Sequence, residues 1–434
     1  MRRKSFLLAH RVRRIRNRPF SLLKMLSQEK KSISCVARQN FLLTIRLSFL
    51  SRDTRLTGLS FFSSKCSKTI INHLSYFLNQ SRAVTKKKIF SQIFALFLLT
   101  TKRAKGKIKE RIFHFEKKKV VYLDWTALRK RARYKTKKEK GMEYAGEFYD
   151  TRVKAPVRGY GLLLAALALT SGDLLPLSFR LYSNRYISHH PEEKSINKME
   201  ESLMREVKAE FSSGIIFVGD GAFSKKMYLH IIKKDLKEDF IVKAKTRVNV
   251  EEKKKGWRNV LLIAESIKKT YRVTWKNQER GEFFLKAKFF QANLFSKKDK
   301  RSLPIFVILL WEKEKKDEPL ILFTSLEVSR KNLQEIISIY NGRGKIDTLF
   351  EILKQSFGLE RIMVRGWQGI NIMIMSCLLS FVLSLCMFLT ATKITFITIK
   401  EFCQKKSVLK KRRLTIGKFY WATTELSRSP PYYS

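Results

Sequence analysis

The sequence predicts an α/β protein: a mixed sheet with flanking helices, preceded by a small, basic, helical N-terminal region. Three observations lead there. Two short apolar runs, 119–124 and 214–220, each read as a buried strand closed by an aspartate, Asp124 and Asp220. Segments with helical spacing alternate with such strands along the chain. The stretch from Tyr340 to Lys354 sorts its side chains onto opposite faces of a helix, with Ile346, Leu349, Phe350 and Leu353 at i, i+3, i+4 and i+7.

In chain order, Val157 to Leu169 and Leu174 to Leu181 are apolar enough for two further strands. Ile196, Met199, Leu203, Val207 and Phe211 then recur at helical spacing. After the strand that ends at Asp220 comes a helical pattern from Phe223 to Leu236 and a strand at Phe240. Residues 245–300 change character: lysine pairs interrupt short aromatic and β-branched runs such as Tyr271–Trp275 and Phe283–Phe290, which predicts a β-rich insertion. Ile305–Trp311 and Leu320–Phe323 read as strands that return to the core. The expected organisation is a basic region over 1–115, a core over 116–244 and 301–400 split by the insertion, and a basic tail over 401–434.

Residues 369–392 carry no charge and are long enough to cross a bilayer. A helix that follows a sheet is more simply packed against it, so a core helix is expected and a membrane anchor is the alternative.

Ninety Lys and Arg face 37 Asp and Glu, a formal charge of +53. Self-repulsion on that scale is relieved by a polyanion, and nucleic acid is the expected partner. Residues 1–120 hold 30 basic and 4 acidic side chains, so phosphate binding is expected to concentrate there. Five cysteines without a CxxC pair argue against a disulfide scaffold or a zinc ribbon, and a reducing cytoplasm fits. His189 and His190 have no acidic or Cys partner at ligand spacing and are expected in a solvated loop.

Phosphodiester cleavage by two metal ions needs carboxylates that bring the ions to within roughly 4 Å of each other. Aspartates on neighbouring strands about 4.8 Å apart can share an ion, and an acid from a crossing helix can complete the site. Asp124, Asp220 and Asp347 are the candidates, binding Mg²⁺ or Mn²⁺. Arg343, one turn before Asp347, and Lys354, about 10 Å beyond it along the helix, suit phosphates of a bound strand.

The spacing Tyr340, two residues, Arg343, three residues, Asp347, six residues, Lys354 resembles the Y-R-E-K signature of DDE-type insertion-sequence transposases. Leu123-Asp124-Trp125-Thr126 resembles the family's first-aspartate motif, and Val218-Gly-Asp220-Gly-Ala-Phe223 its second. The resemblance spans about 120–395. It implies a ribonuclease H-like core with a β-rich insertion before the last acid, and catalysis by Asp124, Asp220 and Asp347. It implies DNA contacts from Tyr340, Arg343 and Lys354, strand hydrolysis at the element's end, joining of the 3′-hydroxyl to target DNA, and a homodimer across paired ends. In relatives an aromatic of the insertion holds a flipped base; Trp257, Trp275 and Trp311 are available here. One position departs: the family's third acid is Glu, whereas 347 is Asp, one methylene shorter. Glu351, one turn on, is a substitute acid, and a decayed copy that only binds DNA is the alternative reading.

Overall fold

The computed structural model describes residues 97–390, except 99, 130–142, 151–154, 190–194, 212–213, 247, 253–255, 278–280, 297–300, 313–317, 363 and 365, together with Ile416 and Phe419. Most of the expected N-terminal region, most of the tail, and His190 lie outside the described residues.

The chain enters through a helical segment around 100–107 and a two-residue strand β1 (His114–Phe115). A tight turn through Glu116 and Lys117, both at positive φ, returns it into β2 (Lys118–Arg129). Next come β3 (Gly146–Asp150), β4 (Ala155–Ala168) and β5 (Leu174–Tyr182), then helices α1 (Asn184–His189) and α2 (Ile196–Glu210). β6 (Ile215–Gly219) leads through a 3-10 turn (Gly221–Ser224) to α3 (Lys226–His230), which a π turn extends over Ile231–Asp235, and then to β7 (Asp239–Ala244). The helix expected from Phe223 is therefore broken at Lys225, which has extended geometry.

Among the described residues one sheet holds thirteen strands. β2 is antiparallel to β4 and parallel to β6, β6 is parallel to β7, and β4 also carries β5. That is the mixed, ribonuclease H-like arrangement. Its strands are apolar on both faces because helices cover them: Val120 to Leu123, Leu162 to Leu167 and Ile215 to Val218 are all buried.

Residues 249–296 continue the same sheet. β8 (Asn249–Glu252), β9 (Gly256–Asn259), helix α4 (Val260–Ser266), β10 (Tyr271–Asn277) and β11 (Gly281–Ser296) precede β12 (Arg301–Trp311) and β13 (Leu320–Thr324). β11 pairs with β12 over eleven residues, and β13 joins β12 back to β7. The strands at 245–300 and those of the core are thus hydrogen-bonded into one sheet, with a helix among them.

The final helices are α5 (Leu333–Asn341), α6 (Gly344–Ser356) and α7 (Trp367–Leu389). The single helix expected from Tyr340 to Lys354 is instead two, with Gly342 and Arg343 between them. Ile346, Leu349, Phe350 and Leu353 of α6 are buried as the periodicity requires. α7 is long and apolar enough to cross a membrane, but 94% of its most apolar stretch is buried inside the fold, as in a core helix. Trp367 starts it, stacked on Tyr186 at 4.1 Å.

Candidate active site

β6 stops at Gly219, paired with Leu123 of β2, and β2 runs on to Arg129. Asp124 is thus mid-strand rather than at a strand end as expected, but it stands beside Asp220 where the neighbouring strand gives out. Gly219 is required by a close approach: a Cβ there would lie 2.7 Å from the Phe223 ring. The bare glycine lets Phe223 fold back under the turn, so the space serves packing rather than a ligand. Asp220 caps that turn, its Oδ1 accepting from the Ala222 amide at 2.9 Å.

Beyond the end of β6 opens a cleft of about 390 Å³. Asp124, Asp220, Asp347, Arg343 and Lys354 all line it, so five of the six candidate residues meet in one place. Tyr340, the sixth, is buried and lines an adjoining groove that shares Asp220 and Arg343 with the cleft. Glu351 lies on the exposed face of α6, accepting from Gln355 at 2.9 Å.

A guanidinium sits between two of the acids. Arg343 Nη2 donates to Asp124 Oδ2 at 2.6 Å and lies 3.9 Å from Asp220 Oδ2. Asp124 Oδ1 accepts from the Trp125 amide. The Asp124 carboxyl is pushed up to about 7, chiefly by burial; Arg343 pulls it down, while Asp220 and Asp347 push it further up. The same three acids hold the Arg343 guanidinium more firmly charged, against the opposing effect of its burial.

Three carboxylates on one cleft are the hard oxygen donors that Mg²⁺ and Mn²⁺ prefer, and Arg343 shows that a cation fits between two of them. The donor set suits a divalent ion. As the side chains stand, no group of three or more Asp, Glu, His or Cys among the described residues is drawn together tightly enough to hold one. Arg343 stands between Asp124 and Asp220, and Asp220 is engaged in capping its turn.

Lys354 is committed within the fold: its Nζ donates to the Ala127 carbonyl at 2.9 Å and pairs with Glu360 at 3.0 Å. Two residues that the sequence reading did not single out support the acids. Glu200 of α2 is buried, accepts from the Trp125 indole at 2.7 Å and from the Tyr228 hydroxyl, and so fixes the residue after Asp124. Its burial and the nearby Asp220 raise its carboxyl, against the hydrogen bonds from Tyr228 and Trp125. The signal was present: position 200 is one turn after Ile196, an acid inside an apolar stripe. Tyr122 of β2 donates to the Ile339 carbonyl at 3.0 Å and so ties α5 to the strand that bears Asp124.

The Transposase DDE domain family matches residues 115–383. This chain belongs to the DDE transposase family. The transposase is thereby an enzyme of DNA transposition and recombination, carried by mobile elements and acting on DNA, in a family that generally uses divalent metals. Such a family fits a cytoplasmic protein. No curated protein is similar enough to the transposase to count as a match.

Proposed function

We propose that this transposase cuts DNA at insertion-sequence ends and joins the freed 3′-hydroxyl to target DNA, with Asp124, Asp220 and Asp347 holding two Mg²⁺ or Mn²⁺ ions. The observation that carries the reading is the convergence of the three acids on one cleft around a cation, the Arg343 guanidinium. When bound, the ions would activate the attacking oxygen and steady the leaving one.

The chain's own residues supply the rest. Asp124 and Asp220 are presented by neighbouring parallel strands, and Asp347 by the first turn of α6. Arg343, already charged and half-buried beside them, is suited to a non-bridging phosphate oxygen once it leaves Asp124. Lys354 would grip the adjacent phosphate on exchanging Ala127 and Glu360 for it. Tyr340 is packed under Trp275, with ring centroids 6.5 Å apart, and Trp275 reaches the groove that runs on from Asp220. Of the three tryptophans of the insertion and its flank, Trp275 is therefore the one suited to an unstacked base. Cutting at two paired ends calls for a homodimer, with the basic segments at 1–115 and 401–434 gripping the flanking duplex.

The shorter acid at 347 favours a second reading, a copy that keeps the fold and binds DNA but has lost the chemistry. One experiment separates the two. The purified protein is incubated with DNA carrying its own terminal repeats and Mg²⁺ or Mn²⁺. Nicking at the repeat ends that Asp220→Asn abolishes is the expected result. Activity gained only on Asp347→Glu would establish the decayed copy, and no nicking by either form would reject the catalytic assignment.

A further inference from the structure

We infer that Gln334 and Asn341 are positioning residues for the reaction: they tie α5 to the edge of strand β10 opposite β11, so that the segment inserted between the core strands sets where Arg343 stands. The inference rests on the catalytic reading above.

The chemistry starts at the β10 edge. β10 pairs with β11 on one side, with Thr274 opposite Phe284 and Lys276 opposite Glu282. Along an antiparallel pair, alternate residues turn both backbone groups away from the partner, and these must be satisfied elsewhere. Here a helix supplies the partners. The Thr274 amide donates to Gln334 Oε1 at 2.7 Å, and Gln334 Nε2 donates back to the Thr274 carbonyl at 3.0 Å. One side-chain carboxamide thus occupies both groups of one residue, as a neighbouring strand would. Two residues along, Asn341 Nδ2 donates to the Lys276 carbonyl at 2.8 Å. Gln334 and Asn341 are seven residues apart, about two helical turns, which brings both amides to the same face of α5. Trp275, between the two anchored residues, packs on Tyr340.

The far side of the same helix end is held by the core. Tyr122, two residues before Asp124, donates to the Ile339 carbonyl. The last turn of α5 is therefore gripped by β2, which carries Asp124, and by β10, which carries none of the three acids. Arg343 follows Asn341 by two residues, and its Nη2 reaches both Asp124 and Asp220. Hydrogen bonds of Gly342 to Ser338 and of Arg343 to Tyr340 pass the position of α5 directly into that turn. Gln334 and Asn341 contribute no charge, and their side chains bond to backbone of β10 rather than to the acids, so their effect on chemistry runs through the placement of Arg343.

The test uses the full chain with Gln334→Glu, which keeps the shape but sets an oxygen against the Thr274 carbonyl, and with the double variant Gln334→Leu/Asn341→Leu. Hydrogen exchange is read at Gly342, Arg343 and Lys345, with 120–123 of β2 as the internal reference, and thermal melting checks folding. Exchange at the turn is expected to rise by about tenfold or more with the reference unchanged. On end-bearing DNA, kcat for nicking is expected to fall by about tenfold while DNA affinity stays within about twofold, the split that misplacement of a reacting group gives. Unchanged exchange at the turn in a folded double variant overturns the inference, as does faster exchange with unaltered kcat. If the parent protein cuts no DNA, the catalytic reading fails by itself, and the exchange measurement still decides whether β10 holds the turn.

Discussion

At the scale of single residues, Asp124 concentrates the conflict in this site. It is 4% exposed, shares Arg343 with a second acid, and holds its proton to about pH 7. An unfolded aspartate titrates near 4, so between about pH 4 and 7 the folded chain binds a proton that the unfolded chain has lost. This group's contribution is therefore fully present below about pH 4 and is lost as pH rises through 7. Asp124→Asn cannot ionise and escapes the loss, which is bounded at about 4 kcal/mol and reduced because Arg343 loses its partner. Urea unfolding in EDTA should show the variant gaining on the parent between pH 5 and pH 8; a gap that stays constant with pH would mean that burial does not govern this carboxyl. Ion binding needs the ionised form, so apparent Mn²⁺ affinity of the parent should rise by about fivefold from pH 6 to 7 and level off only above about pH 8.

At the scale of elements, the junction of α5 and α6 depends on one missing methyl group. A Cβ at Gly342 would lie 2.3 Å from the Tyr122 hydroxyl, inside any tolerable contact. Gly342→Ala should therefore destabilise the protein by about 1–3 kcal/mol through overpacking, despite alanine's better helix propensity. Tyr122→Phe removes the hydroxyl and should absorb most of that cost, so melting temperatures of the two single variants and the double should be clearly non-additive. Additive shifts would locate the strain elsewhere. This contact also explains what the sequence could convey. Periodicity gave the buried face of α6, since Ile346, Leu349, Phe350 and Leu353 report only local geometry. It could not reveal that Gly342 and Arg343 interrupt the helix, because the reason lies on a strand more than two hundred positions earlier. Asp220 follows an apolar strand that ends in a turn, a local pattern that the sequence displays, whereas Asp124, read the same way, lies in the middle of β2. The extension of β2 beyond Asp124, which opens the cleft, depends on where β6 stops. Gln334 was illegible for the same reason, since an amide on a helix acquires meaning only from the backbone it meets; Glu200 left a trace as an acid inside an apolar stripe, but its indole and phenol partners did not.

At the scale of the whole molecule, a formal +53 sets how strongly the protein grips DNA, while the site sets where the grip matters. A groove of about 1020 Å³ continues from Asp220 and Arg343 past Lys243, Lys245 and Trp275. Lys243 and Lys245 are exposed on its wall, whereas Arg343 and Lys354 already have anionic or carbonyl partners in the fold. Each cation that moves from solvent onto a phosphate releases about one counterion, so the two kinds of residue should differ in salt dependence. Lys243→Ala/Lys245→Ala should lower the slope of log affinity against log salt by about two and weaken binding without regard to sequence. Arg343→Ala gives up an internal ion pair as well as a phosphate contact, so its slope should change by less than one while nicking collapses. Affinities on end-bearing and random duplexes between roughly 50 and 200 mM salt would read both effects. A full unit lost on Arg343→Ala would mean that the guanidinium is free in solution, and the cation between Asp124 and Asp220 would then be no guide to how the site is charged before DNA arrives.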